Sequence, residues 1–542
     1  MDLSFYDQGP GVALYIRIFT LILGNTTFAL KLAALFASAI ALLFIYMINL
    51  ELSLPKLQFM LIFWMAFLLP SFFSGSLLIM HDSPLLLFWT MALYFTIRYI
   101  HRQENWTLYL VFLSLGLGAL SKHSMVFFAI SLILWLVITP NEYKILKNKH
   151  FYAGLILAFL IISPVLYWNI HHDWDNIDAI IHLRSAGGQN FEGASTDKYI
   201  IGQIIGLSPL WAFALLILFL WKLLDISTTL NIRKQTMLNA RRQTTLNVRK
   251  QTTIHSQSIT ERNSIRFLVI NALILPIFFF YMSFSSIIQP NWTFPSYPAI
   301  ILLLGIYFPI TKPFSWSEKI YRLLVFAGFI LVLVVNTFVF FPKYITSFLE
   351  QSSIDSINPM ERYTGYRETI MEIEEFRKKN HPNAKLIANK YQDAAMASWY
   401  LPQKSFVGSM NILQKNQYSY WEPMKQGNDY LVFFIQENIC EKSFVFFQPL
   451  LDLMFEQMVE YPEKEVVVNG KVVKRYQMWY GKNYQTNWAE IFFEIFNNQL
   501  LFIHSQGLYQ ETKMPNQRSH DLLVKAVKDF ILRKGKVNCS AF

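Results

Sequence analysis

TFALKLAALFASAIALLFIYMINL, residues 27–50, carries a single charge, Lys31. A hydrocarbon layer of about 30 Å needs about 20 apolar residues at 1.5 Å per residue, so this stretch reads as a membrane-spanning helix. Nine further apolar runs follow, near 56–79, 83–100, 107–120, 123–139, 152–168, 200–222, 266–285, 294–311 and 321–341. The fourth and fifth runs are short and lie on either side of Ser121-Lys122-His123, so a re-entrant hairpin competes there with two separate spans. Residues 11–24 are amphipathic and too short to cross, and fit a helix lying along the interface.

Composition agrees. The 542 residues are 54% hydrophobic and 15% charged, where a soluble chain carries about 25% charged residues. This excludes a single ordinary soluble domain, a disordered chain and a disulfide scaffold. Two cysteines, Cys440 and Cys539, are too few for a structural zinc site. The net charge of +11 is concentrated at 222–266, which holds nine Lys/Arg and two acids between two apolar runs. That placement reads as a cytoplasmic membrane anchor and not as a nucleic-acid groove. With the N-terminus outside, the inner loops hold 18 Lys/Arg and the outer loops 4. This asymmetry puts everything after about residue 342 outside the cytoplasm. The basic loop contains three copies of an eight-residue repeat, starting at Thr229, Met237 and Thr245, which read as a flexible insert near anionic headgroups.

From residue 343 charges and turn residues return. Glu361 to Lys379 has a helical pattern, 385–390 and 429–435 read as strands, and 466–473 reads as a hairpin turning at Asn469-Gly470. A soluble α/β domain over 343–485 follows, with 486–542 as a tail of unassigned structure.

Ionisable groups at a membrane edge are costly to bury, which makes each a functional hypothesis. Asp7, in Phe5-Tyr-Asp-Gln-Gly-Pro-Gly11, is either a base or metal ligand on a structured loop or the cap of the helix at 11–24. Asp82 precedes Ser83-Pro84 and an apolar run, which also suits a helix N-cap. Lys122 either neutralises a phosphate or snorkels to the interface. His171, His172 and Asp173 read as solvated loop residues, because adjacent histidines point apart. His182 and Arg184, in Ile180-Ile-His-Leu-Arg-Ser-Ala-Gly-Gly188, combine a bidentate guanidinium with glycines that admit an anion to the backbone. Gln289 and Asn291 complete the set on the same face. The chain has no P-loop, GxGxxG, HExxH or GxSxG motif.

Five stretches, in order, carry a resemblance: Asp2-Leu-Ser-Phe-Tyr-Asp-Gln-Gly-Pro10, His81-Asp-Ser-Pro-Leu-Leu-Leu-Phe-Trp89, Gly116-Leu-Gly-Ala-Leu-Ser-Lys122, Ser163-Pro-Val-Leu-Tyr-Trp-Asn169 with His172-Asp-Trp174, and Gln289-Pro-Asn-Trp292. Lys390-Tyr-Gln-Asp393 and Asn416-Gln-Tyr-Ser-Tyr-Trp421 add to it. Together they resemble the family 39-like integral-membrane glycosyltransferases of the GT-C fold, a group that includes protein O-mannosyltransferases and the aminoarabinose transferase of lipid A. The resemblance implies transfer of a sugar from a polyprenyl-phosphate donor to a lipid, glycan or protein acceptor on the extracytoplasmic face. It implies catalytic roles for Asp7 and Asp82, substrate-binding roles for Lys122, His182, Arg184 and Asn291, and leaves a divalent metal ion open. It also implies a further helix and an acidic residue ahead of Asp2, the alternative being a shortened, inactive form.

The expected fold is thus a polytopic α-helical membrane protein of GT-C type with a C-terminal soluble α/β domain. Residues 1–26 form an outer loop with an interfacial helix, and 27–342 form about ten transmembrane helices with the cytoplasmic loop at 222–266. The expected location is the inner (cell) membrane, with membrane lipid and lipid-linked sugar as partners and no nucleic acid. The competing reading is a non-catalytic transporter or flippase of lipid-linked sugar. Such proteins tend to show paired broken helices and repeated halves, and neither is visible in the sequence.

Overall fold

A computed structural model describes residues 8–219, 248–340 and 364–485, apart from 70–71, 73–74, 140–141, 173, 179–195, 285–287, 312, 402–404, 411–416, 422–423, 437–450, 453 and 469. Asp7, His182, Arg184, both cysteines and the eight-residue repeats up to residue 247 lie outside the described residues. The chain divides into two compact units, Met1–Phe341 and Pro342–Phe542, each taken by itself here.

In the first unit every predicted apolar run holds a helix. The helices are α1 (Gly11–Leu23), α2 (Thr27–Glu51), α3 (Lys56–Leu68), α4 (Asp82–Arg102), α5 (Asn105–Ser121), α6 (Val126–Ile138) and α7 (Lys149–His171). They continue with α8 (Thr196–Leu207), α9 (Pro209–Phe219), α10 (Val248–Met282), α11 (Tyr297–Ile306) and α12 (Trp316–Phe340). Among the described residues, α2, α4, α7, Ile259–Met282 of α10 and Trp316–Thr337 of α12 are long and apolar enough to cross a membrane. The run expected as one span at 200–222 is instead the pair α8–α9, bent by 98° at Ser208, ahead of Pro209. Counted together they make a sixth candidate span. The run at 294–311 opens as a 3-10 helix, Pro290–Ser296, before α11.

Helix α4 is the centre of this unit. Leu85, Trp89, Leu93 and Ile97 are fully buried on it, and it is covered on nearly all sides, as a helix apolar all round must be. On α2 the small residues Ala29, Ala33, Ala37 and Ala41 form a buried row, while Leu35, Phe36 and Leu43 point outward. Without a hydrophobic drive between helices in lipid, close approach over small residues supplies the packing. The far ends of α2 and α4 are clamped by Glu51, which takes the Arg102 Nε at 2.7 Å.

The second unit holds a mixed sheet of order β2-β1-β3-β6-β4, with β5 also on β6. Its strands are β1 (Lys385–Ala388), β2 (Gly408–Ser409), β3 (Tyr430–Gln436), β4 (Phe455–Glu460), β5 (Lys464–Val468) and β6 (Lys471–Tyr484). Strand β1 runs parallel to β2 and β3; β3 pairs antiparallel with β6, setting Val432 opposite Trp479. All seven residues of β3 are buried, the mark of a central strand covered on both faces. Helices α13 (Tyr366–Asn380) and α14 (Tyr391–Tyr400) supply Ile370, Ile373, Ala394 and Ala397 to a core that includes Leu431, Phe433 and Met478. The helix, both strands and the hairpin read from the sequence are present within a few residues, and Gly470 takes the left-handed turn position at φ 79°. Strand β4 and helix α14 went unread, because neither carries a clean alternation or a capping signal.

A hydrogen-bonded cluster closes one part of this unit. Tyr480 donates to Asp429 at 2.7 Å, His381 stacks on Tyr480 at 3.8 Å, and its Nε2 meets the Tyr461 hydroxyl at 2.7 Å. Burial pushes the Tyr480 phenol up to about 12, assisted by Asp429. Burial raises Asp429, but the Asn483 N–H and the Tyr480 hydroxyl outweigh it and hold the carboxyl below its ordinary value. Burial holds the His381 imidazole below its ordinary value.

Candidate active site

Three of the residues singled out in the sequence meet in the first unit. Asp82 is the first residue of α4 and His81 holds the N-cap position, so Asp82 is not the N-cap. Its Oδ1 accepts from the Lys122 Nζ at 2.7 Å and its Oδ2 from the Asn291 Nδ2 at 2.9 Å. The side chains of Lys122 and Asp82 are 9% and 16% exposed, so Lys122 is not snorkelling. The α4 N-terminus adds a favourable dipole for the carboxylate.

Each group is held by its backbone. Lys122 ends α5 in an extended conformation, its N–H bonded to the Gly118 carbonyl, and a 3-10 turn at His123–Met125 leads into α6. His81 Nδ1 lies 3.3 Å from the Ser121 carbonyl oxygen, tying the start of α4 to the end of α5. Asn291 stands on the 3-10 helix Pro290–Ser296. Gln203 of α8 grips that helix: its Nε2 donates to the Pro290 carbonyl at 3.1 Å, and its Oε1 accepts from the hydroxyls of Tyr297, at 2.9 Å, and Thr293. Nothing in the sequence marks Gln203 except that it is a polar residue inside an apolar run.

The segment before α1 also closes on this place. Gln8, Gly9 and Pro10 are buried. A Cβ on Gly9 would sit 2.1 Å from the Leu120 carbonyl oxygen, and one on Gly11 2.6 Å from the Ser121 nitrogen. Only glycine allows the chain to lie directly on the end of α5, next to Lys122. Of the structured loop inferred from Phe5-Tyr-Asp-Gln-Gly-Pro-Gly11, the described residues 8–11 are packed against the end of α5.

Beside the pair runs a narrow, mainly apolar crevice lined by Ser38, Met80, Asp82, Ser83, Phe294 and Pro295. Of the cluster, Asp82 lines this crevice. Lys122 makes one hydrogen bond of its three, and no second one is present among the described residues. His171 and His172 turn back onto Tyr167 and Trp168, with each Nδ1 2.8 Å from the carbonyl oxygen four residues earlier. Among the described residues no three His, Cys, Asp or Glu side chains gather closely enough to hold a metal ion.

The family model for dolichyl-phosphate-mannose-protein mannosyltransferases matches residues 7–168, a span that contains Asp82 and Lys122. Among solved structures, the chain is similar to ArnT from Cupriavidus metallidurans bound to undecaprenyl phosphate, with a TM-score of 0.54, 12% identity and 88% of each chain covered. It is similar to the same protein in the apo state, with a TM-score of 0.54, 13% identity and the same coverage. No curated protein matches the chain in sequence. The chain has the GT-C membrane fold that its ordered motifs lead one to expect.

Proposed function

We propose that this protein is a membrane glycosyltransferase that moves a sugar from a polyprenyl-phosphate donor to an acceptor hydroxyl on the extracytoplasmic face of the cell membrane. The observation that carries this reading is the hydrogen-bonded, mostly buried Asp82–Lys122–Asn291 cluster. ArnT, of the same fold, is bound to undecaprenyl phosphate in a solved structure, and a buried cation beside a carboxylate and an amide suits the phosphate of such a donor. The 18-to-4 distribution of basic residues supports the orientation, with the second unit outside the cytoplasm.

In this mechanism the acceptor oxygen attacks the anomeric carbon. The bond from that carbon to the phosphate oxygen breaks, and its electron pair leaves with the polyprenyl phosphate. The acceptor proton passes to a carboxylate. Both Asp82 oxygens already hold donors, so Asp82 is assigned as a positioning residue that fixes Lys122 and Asn291, and Asp7, two residues before Gly9 in the chain, as the base. Lys122 and Arg184 stabilise the charge that develops on the leaving phosphate, and His182 contacts the donor. Such stabilisation acts most strongly where water is excluded.

The test is transfer of radiolabelled sugar from a polyprenyl-phosphate donor in membranes that contain the protein. Lys122→Met and Arg184→Lys are each expected to lower turnover by roughly 10- to 1000-fold, the scale of one lost charge-stabilising donor. Wild-type turnover in both variants would remove the phosphate-stabilising roles. Donor movement across the membrane without transfer would favour a flippase.

A further inference from the structure

A cavity of about 470 Å³ opens at the other end of α4 from Asp82. The 21 residues of α4 measure about 30 Å, the thickness of the hydrocarbon core, so this cavity belongs to the opposite membrane face from the candidate active site. Tyr99 and Gln103, at the end of α4, form one wall; Glu142, Lys144, Lys147 and Asn148 form the other.

The second wall is a 3-10 helix, Glu142–Lys147, and its geometry sorts the side chains. With three residues per turn, positions i and i+3 eclipse. Lys144 and Lys147 make one row, and Glu142 and Ile145 a second that continues to Asn148. Both rows line the cavity. The third row, Tyr143 and Leu146, is 53% and 44% exposed. Tyr152, whose hydroxyl donates to the Leu146 carbonyl at 2.8 Å, and Trp106 are similarly exposed. Exposed Tyr and Trp at a helix end mark the level of lipid headgroups. The one acid in the cavity, Glu142, accepts from the Asn263 amide at 2.6 Å and feels Lys144 electrostatically, so the two lysines outweigh it by one charge. Among the described residues no acid lies within ion-pair distance of Lys144 or Lys147.

We propose that this cavity holds the headgroup of an anionic phospholipid from the leaflet opposite the active site. The Lys144–Lys147 row takes the phosphate, Gln103 and Asn148 lie beside it as polar partners, and the acyl chains lie over Tyr143, Leu146 and Tyr152. Basic pockets among transmembrane helices bind anionic headgroups by this combination of point charges and an apolar flank. The proposal does not depend on the glycosyltransferase reading, since it concerns neither the donor nor the acceptor.

Native mass spectrometry of the full chain in detergent tests it, with phosphatidylglycerol or phosphatidylcholine added at equal concentration. The wild type is expected to retain one phosphatidylglycerol in preference to phosphatidylcholine. Lys144→Gln combined with Lys147→Gln should weaken that retention by about 25-fold, from roughly fivefold per basic residue at an anionic surface. Lys56→Gln, at an exposed lysine on another helix, should retain lipid like the wild type. Equal retention of the two lipids by the wild type overturns the proposal without reference to any variant. So does a double variant that binds like the wild type, or a Lys56→Gln loss of the same size. Displacement of the lipid by glycerol phosphate at the same concentration would overturn the lipid as occupant and leave a site for soluble phosphate esters.

Discussion

Replacing Asp82 by Asn removes one charge from a buried pair without changing its shape. Two opposite charges about 3 Å apart attract by about 5 kcal/mol at an effective dielectric of about 20. The Asp82 side chain is 16% exposed, and solvent there reduces the net loss to about 3 kcal/mol, the lower end for breaking a buried pair. The loss arises because Lys122, with a side chain only 9% exposed, keeps its charge without a partner. Asp82→Asn should therefore lower the melting temperature of the detergent-solubilised protein clearly, and Lys122→Met should do so by a similar amount. The double variant, Asp82→Asn with Lys122→Met, leaves no buried charge and should return to within about 1 kcal/mol of wild type, since neutral replacements of buried ion pairs are often tolerated. Its sugar transfer should stay depressed by roughly 100- to 1000-fold. Melting by intrinsic fluorescence and transfer of labelled sugar, measured on the same preparations, separate the two roles. A double variant that regains both stability and transfer would refute the functional reasoning and leave the pair as a structural clamp. An Asp82→Asn variant with wild-type melting would refute the burial argument.

Gly9→Ala places a methyl group 2.1 Å from the Leu120 carbonyl oxygen, so the backbone must shift; about 1–3 kcal/mol of lost stability and a fall in transfer are expected, measured as above. Gln203→Leu removes the grip on the helix that carries Asn291; a loss of about 2 kcal/mol is expected from the stranded partners of Gln203, with transfer reduced further than by a surface control such as Lys31→Gln. Asn247→Cys should resist an impermeant thiol reagent in intact cells and react after lysis; labelling of intact cells would reverse the membrane orientation. The second unit should lose stability as pH falls. The lowered His381 value means that the unfolded chain takes up that proton first, below about 6.5, and the lowered Asp429 value does the same near 4. His381→Phe should flatten the upper part of that decline by less than about 1 kcal/mol, read from the pH dependence of the full chain's melting in detergent.

The membrane class, a helix in each long apolar run and the change to a sheet-bearing unit after residue 343 follow from the sequence, because they rest on local quantities. An apolar run of 20 residues demands a helix wherever it occurs, and the hairpin at Gly470 needs only a turn residue between two short strands. The single residues Asp82, Lys122 and Asn291 were also visible, each as a polar group where polarity is costly. Their relation was not. Asp82 and Lys122 are 40 positions apart, and Asp82 and Asn291 are 209 apart. A list of ionisable residues cannot say whether two of them neutralise each other or both face a ligand. Lys122 taken alone reads as a free cation, and tertiary packing made it half of a pair. The grip of Gln203 on the helix bearing Asn291 depends on contacts between segments nearly 90 residues apart. Composition and periodicity describe the surroundings a segment needs, whereas packing alone decides which segments supply them.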